Sequence, residues 1–195
     1  MPTAPIRSAV VFCGSRVGND PAWREAAVSL GRGMAVAGIR LIYGGGRVGL
    51  MGAIADAALA SGGQVTGIIP EFLQAREVAH AGVTDLIVTD SMHTRKRQMA
   101  EQADVFITMP GGLGTLDETV EIITWRQLGL HDKPILVCNV NGWAAKLLAT
   151  VSAAIADGFA DQSARALFEV MPNVPSLLSR LSHLSAMPPT GTSRL

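Results

Sequence analysis

Short runs of β-branched and aliphatic residues recur along this chain, separated by longer stretches of helical period. This alternation limits the fold more than any other feature. The runs are Ala9 to Cys13 (AVVFC), Arg40 to Tyr43 (RLIY), Val65 to Ile69, Asp85 to Val88, Val105 to Met109 and Ile135 to Cys138, with Leu167 to Val170 as a shorter seventh. Between them, Pro21 behind the N-cap residue Asp20 opens a helix that Gly38 stops, and Leu50 to Ala60 is an apolar, Ala-rich helix. Ser91 caps a helix reaching about Gln102, Thr115 opens one reaching about Leu128, and 143–156 and Val174 to Leu181 complete the set. Strands that alternate with helices form a parallel sheet with helices on both faces, because each crossover must return the chain to the start of the next strand. The expected fold is α/β: a Rossmann-like, doubly wound parallel sheet in a single nucleotide-binding domain over residues 1–185. Residues 71–83 carry no clean period and are expected to form a loop or lid. Residues 186–195, rich in Pro, Thr, Ser and Gly, are expected to be a flexible tail.

Apolar residues make up 48% of the chain and charged ones 16%, enough for one ordinary core. Sixteen Lys and Arg balance sixteen Asp and Glu, so no general field draws the chain to nucleic acid or an anionic membrane. Any anion site has to be built locally. No apolar run reaches membrane-spanning length. Cys13 and Cys138 each end a strand and lack CxxC spacing; two buried, reduced thiols and no signal peptide are expected, hence a cytoplasmic location. Four scattered histidines without HxxxH or HExxH spacing give no expected metal site.

In sheets of this kind ligands bind beyond the carboxyl ends of the strands, and here those ends carry Gly14-Ser15, Gly44-Gly45-Gly46 and Pro110-Gly111-Gly112. Gly44 to Gly49 matches GxGxxG, the dinucleotide fingerprint. It follows the second strand rather than the first, however, and no acid ends the next strand, where Pro70 stands with Glu71 beyond. A mononucleotide, or a tight turn with close helix packing, fits it better. Pro110 to Glu118 (PGGLGTLDE) is more informative: its glycines let backbone amides converge, and the following helix adds its positive end, a phosphate cradle that needs no lysine. Glu118 lies one turn into that helix. It has two readings, as the fourth residue of a Thr-x-x-Glu capping box with Thr115, or as a carboxylate facing a cation formed beside the phosphate, such as a ribosyl oxocarbenium ion. Glu121 and Thr124 or Trp125 fall near the same helix face. In Ser91 to Arg97 (SMHTRKR) three cations gather at a helix start, where the dipole disfavours them unless an anion is near. Arg95 and Lys96 are the candidates to meet one.

Taken together, Gly44-Gly45-Gly46-x-x-Gly49-Leu50-Met51-Gly52, Met92-His93-x-Arg95-Lys96 and Pro110-Gly111-Gly112-x-Gly114-Thr115-x-x-Glu118 resemble the LOG (Lonely Guy) family, whose activity is cytokinin riboside 5'-monophosphate phosphoribohydrolase. The resemblance runs from about Ala9 to Leu148. It implies that Gly111, Gly112, Leu113, Gly114, Thr115, Leu116 and Asp117 hold phosphate and ribose. It further implies that Arg95 and Lys96 approach the nucleotide, with Arg95 a catalytic partner of the carboxylate Glu118, and that Thr124 completes the substrate contacts. Glu77 stands where the family places a substrate-contacting Glu, although Arg76 to Val83 departs from the plant-like pattern. The family also implies a homodimer with a partly shared site, for which the face at Ile122 to Leu128 is suited, and no cofactor.

The function this implies is hydrolysis of the N-glycosidic bond of an N6-substituted adenosine monophosphate to free base and ribose 5-phosphate. The alternatives are a non-catalytic carrier of a nucleotide or of molybdenum cofactor, an NAD(P)-dependent enzyme resting on GxGxxG, and a plain AMP nucleosidase. Relatives of this kind are often labelled lysine decarboxylases, but no pyridoxal phosphate apparatus is evident in the motifs.

Overall fold

The computed structural model describes residues 4–186. In chain order the elements are β1 (Ala4–Pro5), β2 (Ser8–Phe12), α1 (Pro21–Val36), β3 (Arg40–Tyr43), α2 (Gly49–Ala60), β4 (Val65–Pro70), β5 (Asp85–Thr89), α3 (Met92–Gln102), β6 (Val105–Thr108), α4 (Leu113–Gln127), β7 (Ile135–Cys138), α5 (Ala145–Ala156), β8 (Glu169–Met171), α6 (Val174–His183) and β9 (Ser185–Ala186). Strands β2 to β8 form one seven-stranded sheet in the order β5-β4-β3-β2-β6-β7-β8, with every pairing parallel. The chain winds outward from β2 to β5, then returns to the other side of β2 to lay down β6, β7 and β8. The reversal leaves a crevice between the carboxyl ends of β2 and β6, where a doubly wound sheet receives its ligand.

The central strands are apolar on both faces, as a sheet covered on both sides requires. Ala9 and Val11 of β2, with Val105 and Ile107 of β6, join α1, α2 and α6 in one core layer. Val10, Phe12 and Phe106 join residues of α3, α4 and α5 in the other. The helix starts follow their caps. Asp20 Oδ1 accepts the Ala22 amide at 2.9 Å ahead of Pro21, and Ser91 Oγ accepts the Thr94 amide at 3.1 Å. Gly38, at φ +68°, ends the turn after α1 as expected.

Three features differ from the expectation. Helix α4 begins at Leu113 with Gly112 as N-cap, two residues before Thr115. Glu118 therefore sits in the second turn, too far along to reach back to the cap, and the Thr115–Glu118 capping box does not form. Ile122, offered as part of an interface, is buried in the core beneath α4; the exposed apolar residues of that helix and its C-cap are Leu113, Val120 and Leu128. Lastly, β1 and β9 make a two-stranded antiparallel ribbon in which Ala186, the first residue of the expected tail, pairs with Ala4. Strands of two residues are too short to show a period. The rest of the expected tail, 187–195, lies outside the described residues.

Candidate active site

At the crevice β2 runs out into Cys13-Gly14-Ser15 and β6 into Met109-Pro110-Gly111-Gly112, and the two loops touch through the Gly14 amide, which donates to the Pro110 carbonyl at 3.0 Å. Gly111 must be glycine, because a Cβ there would overlap the Thr115 side chain. Its compactness lets the chain enter α4 with no side chain capping the helix start. The amides of Leu113, Gly114 and Thr115 consequently have no hydrogen-bond partner among the described residues. Three unpaired donors at the positive end of a 15-residue helix form a surface with the chemistry to take an anion.

Helix α2 shows the opposite. The Leu50 and Met51 amides at its start both point at the Gly14 carbonyl, at 2.9 and 3.3 Å. The GxGxxG segment thus spends its helix start on packing against the first loop, and Gly49, at φ +63° against the Ser15 backbone, serves that contact. The two α2 amides that a dinucleotide phosphate would need first, those of Leu50 and Met51, are already taken by the Gly14 carbonyl.

A cavity of about 210 Å³ opens beside the α4 start, walled by Gly112, Leu113, Gly114, Thr115, Asp117 and Glu118. Across from them stand Arg95 and Met92 of α3, Glu77 and Leu73 from the 71–83 segment, Met51, and Cys13 and Ser15. Of the expected site residues, Gly111, Leu116, Lys96 and Thr124 do not line it. Gly111 lines an adjoining hollow of about 500 Å³ with Gly14, Ser15, Gly112 and Leu113. Leu116 faces a separate groove with Trp23 and Trp143. Thr124 is exposed two turns further along α4, its hydroxyl donating to the Val120 carbonyl. The Lys96 ammonium is held by Asp117 Oδ2 at 2.7 Å and Glu121 Oε2 at 3.0 Å, tying α3 to α4. Ser15 stands at a strand end where the sequence places ligands, whereas Cys13, Met51, Leu73 and Met92 are wall residues with no expected role. The signal that finds Cys13 is its place at the carboxyl end of the first strand of the sheet.

Three ionisable side chains are crowded at the floor. Arg95 is 5% exposed, and its guanidinium packs into the space that a Cβ at Gly44 would take. That guanidinium is poorly satisfied: Nη2 reaches the Gly44 carbonyl at 3.4 Å and Glu118 Oε1 only at 3.8 Å, and Nε has no partner. Glu77 Oε2 is likewise buried and unpaired. Burial pushes the Glu118 carboxyl up to about 7; Arg95 and Lys96 oppose that rise, while Glu77 and Asp117 add to it. Burial raises Glu77 as well, against Arg95 and Arg76. At Lys96 burial works against the ammonium, but bonds to Asp117 and Glu121 outweigh it and raise its pKa. Helix α4 is tied to the sheet next to Glu118: Thr119 Oγ1 donates to the Thr115 carbonyl at 2.6 Å and meets Thr108 Oγ1 of β6 at 2.9 Å, both buried. Buried donors and acceptors without partners, next to a carboxyl whose pKa is raised to about 7, mark this cavity as the candidate functional site.

A larger hollow of about 530 Å³ lies at the other end of the sheet, between Arg7, Arg40 and Gly62 to Gln64, and contains none of these groups. No described helix is long and apolar enough to cross a membrane.

Comparison with known proteins gives this geometry a context. Residues 51–181 match the family described as "Possible lysine decarboxylase". A probable cytokinin riboside 5'-monophosphate phosphoribohydrolase of Oryza sativa subsp. japonica is 46% identical over 176 residues, covering 90% of this chain and 78% of that protein. A cytokinin riboside 5'-monophosphate phosphoribohydrolase of Arabidopsis thaliana is 43% identical over 176 residues, covering 90% and 83%. Among solved structures, the molybdenum cofactor carrier protein of Chlamydomonas reinhardtii superposes with a TM-score of 0.68 over 91% of this chain and 96% of its own, at 20% identity. That likeness shows the fold. The sequence matches go further, and by them the chain belongs to the LOG family, that of the cytokinin riboside 5'-monophosphate phosphoribohydrolases.

Proposed function

We propose that the chain hydrolyses the N-glycosidic bond of an adenosine 5'-monophosphate, N6-substituted as in the cytokinin nucleotides its relatives are named for, to free base and ribose 5-phosphate. The observation that carries this is the adjacency of unpaired α4 amides to Glu118 and Arg95 in one cavity. In this reading the amides of Leu113, Gly114 and Thr115 take the 5'-phosphate. That remote contact fixes the ribose so that Glu118, one turn along, faces the anomeric carbon. The C1'–N9 bond breaks with its electron pair leaving on the base, and the ring carbon passes through an oxocarbenium-like state. The Glu118 carboxylate stabilises that charge and takes a proton from the water that adds to C1'. The proton is then passed on to the departing base. Arg95, whose Nε–H has no protein partner, donates to the substrate, and Glu77 accepts from it.

Lys96 argues against a decarboxylase. A lysine that forms a Schiff base needs a free, neutral amine, and this one is held as an ammonium between two carboxylates. The carrier reading rests on fold likeness at 20% identity, whereas relatives at 41–46% identity carry hydrolase names.

We also propose a homodimer and a cytoplasmic location. Exposed Leu113, Val120 and Leu128 make an apolar face on α4 with Thr124 among them, suited to a second copy of the chain. Two buried free thiols suit the reducing cytoplasm. The test of the function is a product-resolved assay on AMP, N6-isopentenyl-AMP and the matching nucleosides. Release of base and ribose 5-phosphate from the monophosphates alone supports it. Tight binding without release makes the protein a carrier.

A further inference from the structure

We propose that His80 is a positioning residue that holds Glu77 in the catalytic cavity, an inference that rests on the substrate-binding reading of Glu77. The segment between β4 and β5 enters the site at Glu77 through a strained backbone: Val78 has φ +49°. A left-handed conformation is a true outlier for a β-branched residue and persists only where the surroundings enforce it. The enforcement comes from both sides. At the strained residue and just before it, the Arg47 amide donates to the carbonyls of Val78 (2.9 Å) and Glu77 (3.1 Å). After it, Ala79 bridges to Gly46, and the His80 amide donates to the Gly45 carbonyl at 2.9 Å.

The His80 ring locks the second half. It is 4% exposed, and it is satisfied at both nitrogens. Nδ1 accepts the Gly82 amide at 3.1 Å, which requires the proton on Nε2, and Nε2 lies 3.0 Å from Asp56 Oδ1 on α2. The ring therefore closes the loop on itself and staples it to α2, three residues from Glu77. Its neighbour on the other side of the staple, the Gly44-Gly45-Gly46 turn, is the one that backs the Arg95 guanidinium. Without the staple, the segment can relax Val78, and Glu77 leaves the cavity.

The side-chain chemistry supplies graded variants. His80→Asn offers an oxygen near Nδ1 for Gly82 but cannot reach Asp56; His80→Gln offers a donor near Nε2 for Asp56 but not the acceptor. Asp56→Ala removes the other half of the staple at an exposed residue of α2, where folding is not at stake. Two readouts are taken. Amide hydrogen exchange on the ligand-free protein should show residues 77–82 exchanging faster in His80→Ala and Asp56→Ala, with α4 unchanged. This readout needs no substrate, so it stands or falls apart from the proposed reaction. Turnover of a nucleoside monophosphate should fall in His80→Ala by about tenfold in kcat/KM, the order expected for two hydrogen bonds, with His80→Asn and His80→Gln between. On a Glu77→Gln background the same substitution should cost less than about twofold, since its target is already gone. An equal loss on both backgrounds, or unchanged exchange in 77–82, overturns the proposal. If wild-type protein releases no base while exchange responds as expected, the staple stands and the reaction is wrong.

Discussion

At position 118 two effects compete for one proton. Removal from water favours the neutral acid, the guanidinium of Arg95 favours the carboxylate, and burial prevails, leaving the group near 7. An ionised Glu118 is the form that can meet an oxocarbenium ion, so kcat/KM should rise as pH increases through about 7, above the substrate phosphate's own step near ~6. A flat profile between pH 6 and 8 would remove Glu118 from that role. Glu118→Gln should nearly abolish turnover, by a factor of about 10³ or more, while calorimetric binding of AMP changes little. The same shift bears on stability. The folded state keeps a proton on Glu118 between the ordinary 4.5 and about 7 that the unfolded chain has lost, so this group's contribution is full below 4.5 and declines as pH rises to 7. The difference in unfolding free energy between Glu118→Gln and wild type should therefore move in the variant's favour on going from pH 5 to 8, by something on the order of 3 kcal/mol. Paired melts at the two pH values check it; a constant gap would contradict it.

Helices α3 and α4 meet through neighbouring pairs, Arg95 beside Glu118 and Lys96 between Asp117 and Glu121. Lys96 thus acts on the cavity without lining it, as a clamp and as a positive charge that lowers the Glu118 pKa. Lys96→Met should move the rising limb of the pH profile to higher pH; a shift to lower pH would contradict this placement. Beneath α4, Thr119→Val would leave the buried Thr108 hydroxyl without its partner, at a cost of about 1–3 kcal/mol read by urea unfolding. At this scale the sequence was readable where a cap or period marks the chain. Asp20-Pro21, Ser91 and Gly38 fixed helix ends, and the apolar runs fixed seven strands to within a residue or two. The start of α4 was misplaced because Gly112 caps by backbone conformation alone, with no side-chain signature, and Thr115-x-x-Glu118 imitates one. The Thr108–Thr119–Thr115 support and the His80 staple were invisible for another reason: each joins residues through space, and a lone Thr or His has no local pattern to announce it.

Across the whole molecule, the return of the chain at β6 brings Gly14-Ser15 and Gly111-Gly112 together; the motifs placed glycine loops at the strand ends, but the strand order that joins these two was not legible in them. Nor was it legible which motif residues face the crevice. PGGLGTLDE reads as one unit, yet its helical period turns Leu116 outward while Glu118 faces in, and Lys96 next to Arg95 turns to α4. The outward face of α4 has no partner among the described residues, with Val120 49% and Leu128 67% exposed. If a second copy covers it, Val120→Asp with Leu128→Glu should convert a dimer to a monomer by light scattering and reduce turnover. A wild-type protein that is fully active as a monomer would remove the shared-site proposal.

The proposed hydrolysis requires an anion held by the α4 amides and a carboxyl one turn along that faces the sugar. The most direct test is a crystal structure of the Glu118→Gln variant with AMP. It should show the phosphate within hydrogen-bonding distance of the Leu113, Gly114 and Thr115 amides, with the side chain at 118 against C1'. A phosphate bound elsewhere, or a side chain at 118 turned from the ribose, would contradict it.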